Sequence, residues 1–68
     1  MGNLLILKAE RVKCGLNQKE MAEIIGCSTP AYNQKEKGRR SFSQEEISLI
    51  VKRLGLSGEM IKAIFFDE

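Results

Sequence analysis

Residues 23–32, EIIGCSTPAY, place a break between two stretches that could each form a helix. Two isoleucines run into Gly26, and glycine readily adopts the left-handed conformation that ends helices. Ser28 or Thr29 can then accept hydrogen bonds from the first free N–H groups of a new helix. Pro30 is compatible with a first helical turn, where its missing N–H has no intrahelical partner. The segment therefore predicts two short helices joined by a tight turn.

The same start and stop signals recur along the chain and predict five helices. Glycine ends a periodic segment at Gly15, Gly26, Gly38 and Gly55. Residues that can cap a helix N-terminus precede the segments at Asn3, Asn17, Ser28 or Thr29, Ser43 and Ser57. A glutamate follows Asn17 and Ser43 three positions later, as in a capping box. We expect helices over about residues 3–14, 18–25, 29–37, 44–54 and 58–65.

Four of these helices carry an apolar stripe, so they can share one core. The expected core-facing residues are Leu5, Ala9 and Val12, with Leu4 and Leu7 beside them; Met21, Ala22, Ile24 and Ile25; Ile47, Ile50, Val51 and Leu54; and Met60, Ile61, Ile64 and Phe65. The third helix, TPAYNQKEK, offers mainly Ala31 and Tyr32 to a core. Its other side chains must face solvent or a polar partner.

Size and composition limit the class of protein. A chain of 68 residues, 43% hydrophobic and 29% charged, is suited to a single globular domain, residues 1–68. One proline and many Leu, Ile, Lys, Glu and Gln favour an all-α fold. The longest apolar run, LLIL at residues 4–7, is too short for a membrane span or a signal peptide, so we expect a cytoplasmic protein without a membrane partner.

Catalysis and metal binding find little support in the sequence. The chain has no histidine, which removes the commonest general base. Cys14 and Cys27 lack metal-ligand spacing, and they are expected to be bystander thiols rather than a disulfide or a redox pair. Glu45 and Glu46 are adjacent on a predicted helix, so their carboxylates point in different directions. We therefore predict no enzymatic activity, no cofactor, no metal and no small-molecule substrate.

Positive charge is concentrated just after the central turn. The net charge of +2 is too small by itself to indicate an anionic partner. Residues 29–42 nevertheless carry four cationic side chains and one anionic one, whereas the residues after 42 are net acidic. The excess positive charge thus falls on the third helix and the loop that follows it.

An apolar helix joined to a polar one by a short glycine-containing turn is a helix-turn-helix. Residues 15–38, GLNQKEMAEIIGCSTPAYNQKEKG, also resemble the helix-turn-helix domains of phage repressors and Cro-like regulators. The matching positions are Gly15, Leu16, Gln18, Ala22, Gly26, Ser28, Glu36 and Gly38, with apolar equivalents at Met21, Ile25, Cys27 and Tyr32. The resemblance continues through residues 39–66, RRSFSQEEISLIVKRLGLSGEMIKAIFF, and so covers nearly the whole chain.

This resemblance implies a five-helix, lambda-repressor-like fold and a sequence-specific regulator of transcription that binds double-stranded DNA. The regulator is expected to be a repressor of a phage or mobile element. Its expected location is the cytoplasm of a bacterial or phage-infected cell, in association with the nucleoid. The second helix of such a motif lies in the major groove. Carried over by position, the base contacts are Thr29, Pro30, Asn33 and Gln34. The phosphate contacts are Gln18, Ser28, Lys35, Lys37, Arg39, Arg40 and Ser41.

Asparagine and glutamine can each form two hydrogen bonds with adenine, and Thr or Pro carbons can meet a thymine methyl group. We therefore expect A·T pairs in part of the site. For Gln18 and for residues 37–40, KGRR, a plain solvated surface is the alternative reading. Lys35 occupies a position that is often apolar in this family. Its aliphatic stem is expected to lie along the core edge, with the ammonium group in solvent. Phosphate would repel Glu36, so we expect it to face the protein, toward Arg11 or Arg40.

One helix in one groove buries too little surface to select a genomic site, so we expect a homodimer on a two-fold symmetric operator. The candidate dimer surface is Met60, Ile64, Phe65 and Phe66. Alternatively, most of these residues cap the monomer core, and Phe66 is then the best candidate for exposure. The alternative function is a protein-interaction module that uses the same exposed helix, because helix-turn-helix folds are reused in this way.

Overall fold

The computed structural model describes residues 2–66, which form five helices and no strand, as the all-α prediction requires. The helices are α1 Leu4–Lys13, α2 Gln18–Ile25, α3 Thr29–Glu36, α4 Gln44–Leu54 and α5 Gly58–Ile61. A π-helical turn, Lys62–Phe66, follows α5 without a break. Over this range, no helix combines the length and the apolar character that crossing a bilayer requires.

The predicted helix starts are confirmed by their hydrogen bonds. The Asn17 and Ser43 side chains accept from the backbone N–H three residues later, and the glutamates at those positions bond back to the cap N–H. Both capping boxes are therefore complete. The choice between Ser28 and Thr29 is settled in favour of Ser28, whose hydroxyl accepts from the Ala31 N–H at 3.2 Å.

The end of the described chain differs from the expected α-helix over residues 58–65. The wider π-helical turn lies against the segment that leads into α1, where the Asn3 N–H donates to the Ala63 carbonyl at 2.9 Å. A Cβ at Gly2 would collide with the Ile64 carbonyl oxygen, so this close approach depends on glycine. The turn thereby joins the two ends of the described chain.

The hydrophobic core lies between α1, α2, α4 and the C-terminal turn. Its fully buried aliphatic members include Leu7, Met21, Ile50 and Ile64. On α4 the predicted stripe is confirmed, with Ile50 and Leu54 buried. The assignment of Ile64 to a dimer surface is wrong, because its side chain is 0% exposed within the monomer.

The predicted core-facing residues of α1 are confirmed at Leu7, which is buried, and at Leu4, which packs against the core, but the stripe of Leu5, Ala9 and Val12 is wrong. Leu5 is 74% exposed, Val12 is 59% exposed, and Ala9 between them faces solvent as well. The buried side of α1 carries the expected Leu7 together with Arg11, which was not expected in the core. These two positions have helical spacing, but the second is a cation, and an arginine enters a core only when its charge is paired.

Candidate nucleic-acid interface

The corner between α2 and α3 is built as its sequence predicts. Gly26 is left-handed, with φ of 77°, and the Cys27 N–H donates to the Ala22 carbonyl at 2.9 Å. Met21 and Ala22 are buried on α2, and Tyr32 is buried on α3, so the two helices pack closely. The turn consequently places α3 across the core-anchored helix α2, with one face outward.

The outward face of α3 carries all four residues predicted to contact bases. Thr29 and Pro30 are exposed at the start of the helix, and Asn33 and Gln34 are half-buried one turn later. The opposite face holds Tyr32, which is fully buried. The described structure therefore brings the four residues onto one polar surface.

A cationic loop directly follows that surface. Lys37, Arg39 and Arg40 are exposed, as is Ser41, and none of the three cations forms an ion pair within residues 2–66. The loop is anchored at its far end by Phe42, whose ring meets Tyr32 edge-on at 6.1 Å between centroids. The positive charge is thus held close to the polar face of α3.

The inner face of α3 is anchored by a buried carboxylate. Glu36 accepts from Arg11 Nε at 2.9 Å and from Arg11 Nη2 at 3.2 Å, and it also accepts from the Tyr32 hydroxyl at 2.7 Å. Of the two partners expected for Glu36, Arg11 is confirmed. Burial, followed by the hydrogen bond and the charge of Glu36, raises the pKa of Tyr32, so this hydroxyl stays protonated.

Gln18, the first residue of α2, extends this buried network toward the surface. Its Nε2 donates to Glu36 Oε1 at 3.2 Å, and its Oε1 accepts from Asn33 Nδ2 at 3.0 Å. Neither bond is visible in the linear sequence, because 18 and 15 residues separate the partners. The bond from Tyr32 to Glu36 has the helical i, i+4 spacing and could have been anticipated.

Lys35 is placed differently from its predicted phosphate role. Its ammonium lies 2.7 Å from both carboxylate oxygens of Glu46 at the start of α4, not in solvent. Partial burial tends to raise the pKa of Glu46, but hydrogen bonds from Lys35 and Ser43 outweigh it and hold this pKa below its ordinary value. The Lys35 charge is therefore neutralised within the protein, and this residue joins α3 to α4.

The predicted dimer surface is only partly available. Phe66 is 59% exposed, whereas Met60 and Phe65 are half-buried and pack against the core. Phe65 also contacts Phe42 edge-on at 5.6 Å between ring centroids. The C-terminal turn thus caps the monomer core and leaves mainly Phe66 outside.

The corner therefore presents hydrogen-bonding side chains flanked by cations that form no ion pair within residues 2–66. Duplex DNA, a polyanion whose base edges form hydrogen bonds, is bound by this combination of groups. Comparison with protein families gives a match to a helix-turn-helix family over residues 7–61, which is most of the chain. The matched span contains the whole of α1 to α4 apart from the first residues of α1. No curated protein and no solved structure matches the chain.

Proposed function

Because the chain belongs to the helix-turn-helix family of phage-repressor and Cro-like DNA-binding regulators, we propose that it is a sequence-specific repressor of phage or mobile-element type. In this proposal, α3 enters the major groove of duplex DNA. The observation that carries it is the polar face of α3, which is followed immediately by the cations of residues 37–40. Those cations are the part of the chain that would follow the DNA backbone.

Base contacts are proposed for the exposed face of α3. Thr29 and Pro30 lie at its N-terminal end, the part of a recognition helix that is nearest to base edges. Asn33 and Gln34 can each bond an adenine, and the Thr29 and Pro30 carbons can meet a thymine methyl group. Each good base contact discriminates against a wrong base by about 1–3 kcal/mol.

Phosphate contacts are proposed for Lys37, Arg39 and Arg40, with the hydroxyls of Ser28 and Ser41 beside them. All five are exposed, and the three cations have no competing ion pair in the described chain. Lys35 is left out of this set because its ammonium is bonded to Glu46. Each phosphate that a cation neutralises adds about 0.9 to the magnitude of the slope of log affinity against log salt concentration, whereas a hydroxyl contact leaves the slope unchanged.

A homodimer on a two-fold symmetric operator is proposed, with half-sites about one helical turn apart. Phe66 would lie at the centre of the contact, and the edges of Met60 and Phe65 would surround it. Sites selected from a random duplex library test this arrangement directly. Inverted repeats are the expected outcome. A selected consensus that contains only one asymmetric half-site would contradict dimeric binding.

The proposed interface is tested by removing its two arginines. Arg39→Ala with Arg40→Ala should weaken binding to all duplexes alike and reduce the salt slope by about 0.9 for each phosphate that is no longer neutralised. The matched control is Lys52→Ala with Arg53→Ala, which removes the same charge from exposed positions at the end of α4. Mobility shifts at several salt concentrations measure both variants.

Equal losses of affinity in the two double variants would show that the cationic loop has no special role. A wild-type chain without salt-sensitive affinity for random duplex would contradict DNA binding and would favour the protein-interaction alternative. Asn33→Ala should instead change which sequence is preferred. If this variant and the arginine variant had the same effect, the division into base and phosphate contacts would be wrong.

A further inference from the structure

A continuous chain of side-chain hydrogen bonds runs from the protein interior to the proposed DNA-facing surface. It starts at Arg11, passes through Glu36 and Gln18, and ends at Asn33. The first two side chains are buried, and the last two are half-buried. The chain therefore links a fixed interior charge to a residue on the outer face of α3.

The interior end of this chain determines its direction. The Glu36 carboxylate is paired with the Arg11 guanidinium and also accepts from the Tyr32 hydroxyl. An ionised carboxylate can only accept hydrogen bonds. Whichever amide group approaches it must therefore do so with its NH₂ end, so Gln18 turns Nε2 toward Glu36.

The orientation of Gln18 then determines the orientation of Asn33. With Nε2 bonded to Glu36, the Oε1 end of Gln18 faces the opposite way and can only accept a hydrogen bond. Asn33 supplies that bond from Nδ2 at 3.0 Å. Within residues 2–66, no donor is bonded to Asn33 Oδ1, so the carbonyl end of this amide is left for an external partner.

We propose that Gln18 is a positioning residue that holds Asn33 with its carbonyl oxygen available to the groove, so that Asn33 selects adenine and rejects guanine. The proposal rests on the DNA-binding function and assigns Gln18 a role different from a phosphate contact. Without Gln18, the Asn33 amide could turn over and offer its NH₂ group to the DNA instead.

Base chemistry converts this orientation into selectivity. Adenine presents an amine donor and the N7 acceptor in the major groove, which match the free oxygen and the second N–H of Asn33. Guanine presents two acceptors, O6 and N7, and the fixed Asn33 oxygen would face one of them without a hydrogen bond. A freely rotating amide could donate to guanine, so the hydrogen-bond chain acts by excluding that orientation.

Gln18→Met tests the proposal, because methionine has similar length and no hydrogen-bonding amide. On duplexes that differ only by adenine or guanine at the base contacted by Asn33, wild type should prefer adenine. The variant should lower the adenine-to-guanine affinity ratio about fivefold or more, the lower end of the discrimination by a paired contact. The control is Gln44→Met, which changes the exposed first residue of α4 and should leave the ratio unchanged.

The side-chain amide signals of the free, ¹⁵N-labelled protein provide a second measurement that needs no DNA. The Asn33 NH₂ protons should exchange with water more slowly than those of exposed Gln44, and Gln18→Met should remove that difference. A circular dichroism melt of each variant confirms that it is folded under the conditions of both measurements.

The outcomes separate this proposal from the function on which it rests. If Gln18→Met weakened binding to both duplexes equally and left the adenine-to-guanine ratio unchanged, Gln18 would be a sequence-independent phosphate contact and the proposal would be overturned. Fast exchange of the Asn33 amide in wild type would overturn it as well. A protected amide in a chain that binds no duplex would instead overturn the proposed function, and with it the adenine selectivity.

Discussion

Helices α3 and α4 are similar in their starts but opposite in what holds them in place. A serine caps each one, with Ser28 and Ser43 accepting from the backbone N–H three residues later. Both helices pack on α2. However, α4 buries Ile50 and Leu54, whereas α3 buries Tyr32 and the charged Glu36.

This difference has a mechanical consequence. Aliphatic contacts are not directional, so a helix held by them can rotate or shift a little at low cost. Hydrogen bonds and ion pairs weaken steeply when their angles change, so the anchor of α3 specifies its rotation as well as its position. A helix that must present particular side chains to base edges needs this kind of anchor.

The largest expected effect comes from a nearly isosteric change in the polar anchor. Glu36→Gln keeps the side-chain shape but leaves the Arg11 charge uncompensated in the interior. Removing one partner of a buried ion pair costs about 3–5 kcal/mol. We expect a decrease of this order in the free energy of unfolding, measured by urea denaturation.

Ile50→Leu is the matched change in the aliphatic anchor, since Ile50 is fully buried and the volume is conserved. Such swaps usually cost less than about 1.5 kcal/mol. Equal decreases in Glu36→Gln and Ile50→Leu would mean that the two helices are anchored in the same way, and the comparison would fail.

A smaller effect is expected from Tyr32→Phe, which removes only the hydroxyl that donates to Glu36. A hydrogen bond to a charged group contributes about 1.5–3 kcal/mol. The pKa of Tyr32 is raised in the folded protein, first by burial and then by Glu36, whereas in the unfolded chain it stays near its ordinary value of about 10. Below about pH 10, both states keep the proton and the full contribution is present.

Above about pH 10, the unfolded chain loses the Tyr32 proton while the folded protein retains it. The free energy of unfolding should then fall by about 1.4 kcal/mol per pH unit from this group alone. Tyr32→Phe should lack that part of the decline, so the two proteins should converge in stability as the pH rises. Urea denaturation from pH 9 to pH 11 measures the free energy of unfolding of both proteins. If it declined equally with pH in wild type and in Tyr32→Phe, a buried, protonated Tyr32 would be contradicted.

The same comparison explains what the sequence can and cannot predict. On α4, the capping box and the stripe through Ile50 and Leu54 are local patterns, and both are confirmed. On α1, the predicted stripe of Leu5, Ala9 and Val12 is wrong because the buried side runs through Leu7 and Arg11, and an arginine without a known partner is not assigned to a core. The partner of Arg11, Glu36, is 25 residues away, so periodicity could not place the pair; the expectation that Glu36 faces Arg11 or Arg40 came from its charge and did not put Arg11 in the core.

The interface shows the same limit. The Asn33 and Gln34 positions, and the cations after them, follow from the corner and from the family resemblance. The bonds from Lys35 to Glu46 and from Gln18 to Asn33 join different helices, so they depend on how those helices pack. Sequence patterns therefore identify the outer surface of α3 more reliably than the network beneath it.

The smallest expected effect compares the two caps. Ser28→Ala and Ser43→Ala should each lower the free energy of unfolding by about 1 kcal/mol, because each leaves one helix N–H without its acceptor. Only Ser28 lies at the start of the proposed recognition helix, so only Ser28→Ala should also weaken binding to every duplex, with the salt slope unchanged because a neutral hydroxyl releases no counterion. Thermal melts and salt-titrated mobility shifts on both variants measure this. If Ser43→Ala weakened binding as much, the weaker binding would come from helix stability alone, and Ser28 would be a cap without a phosphate contact.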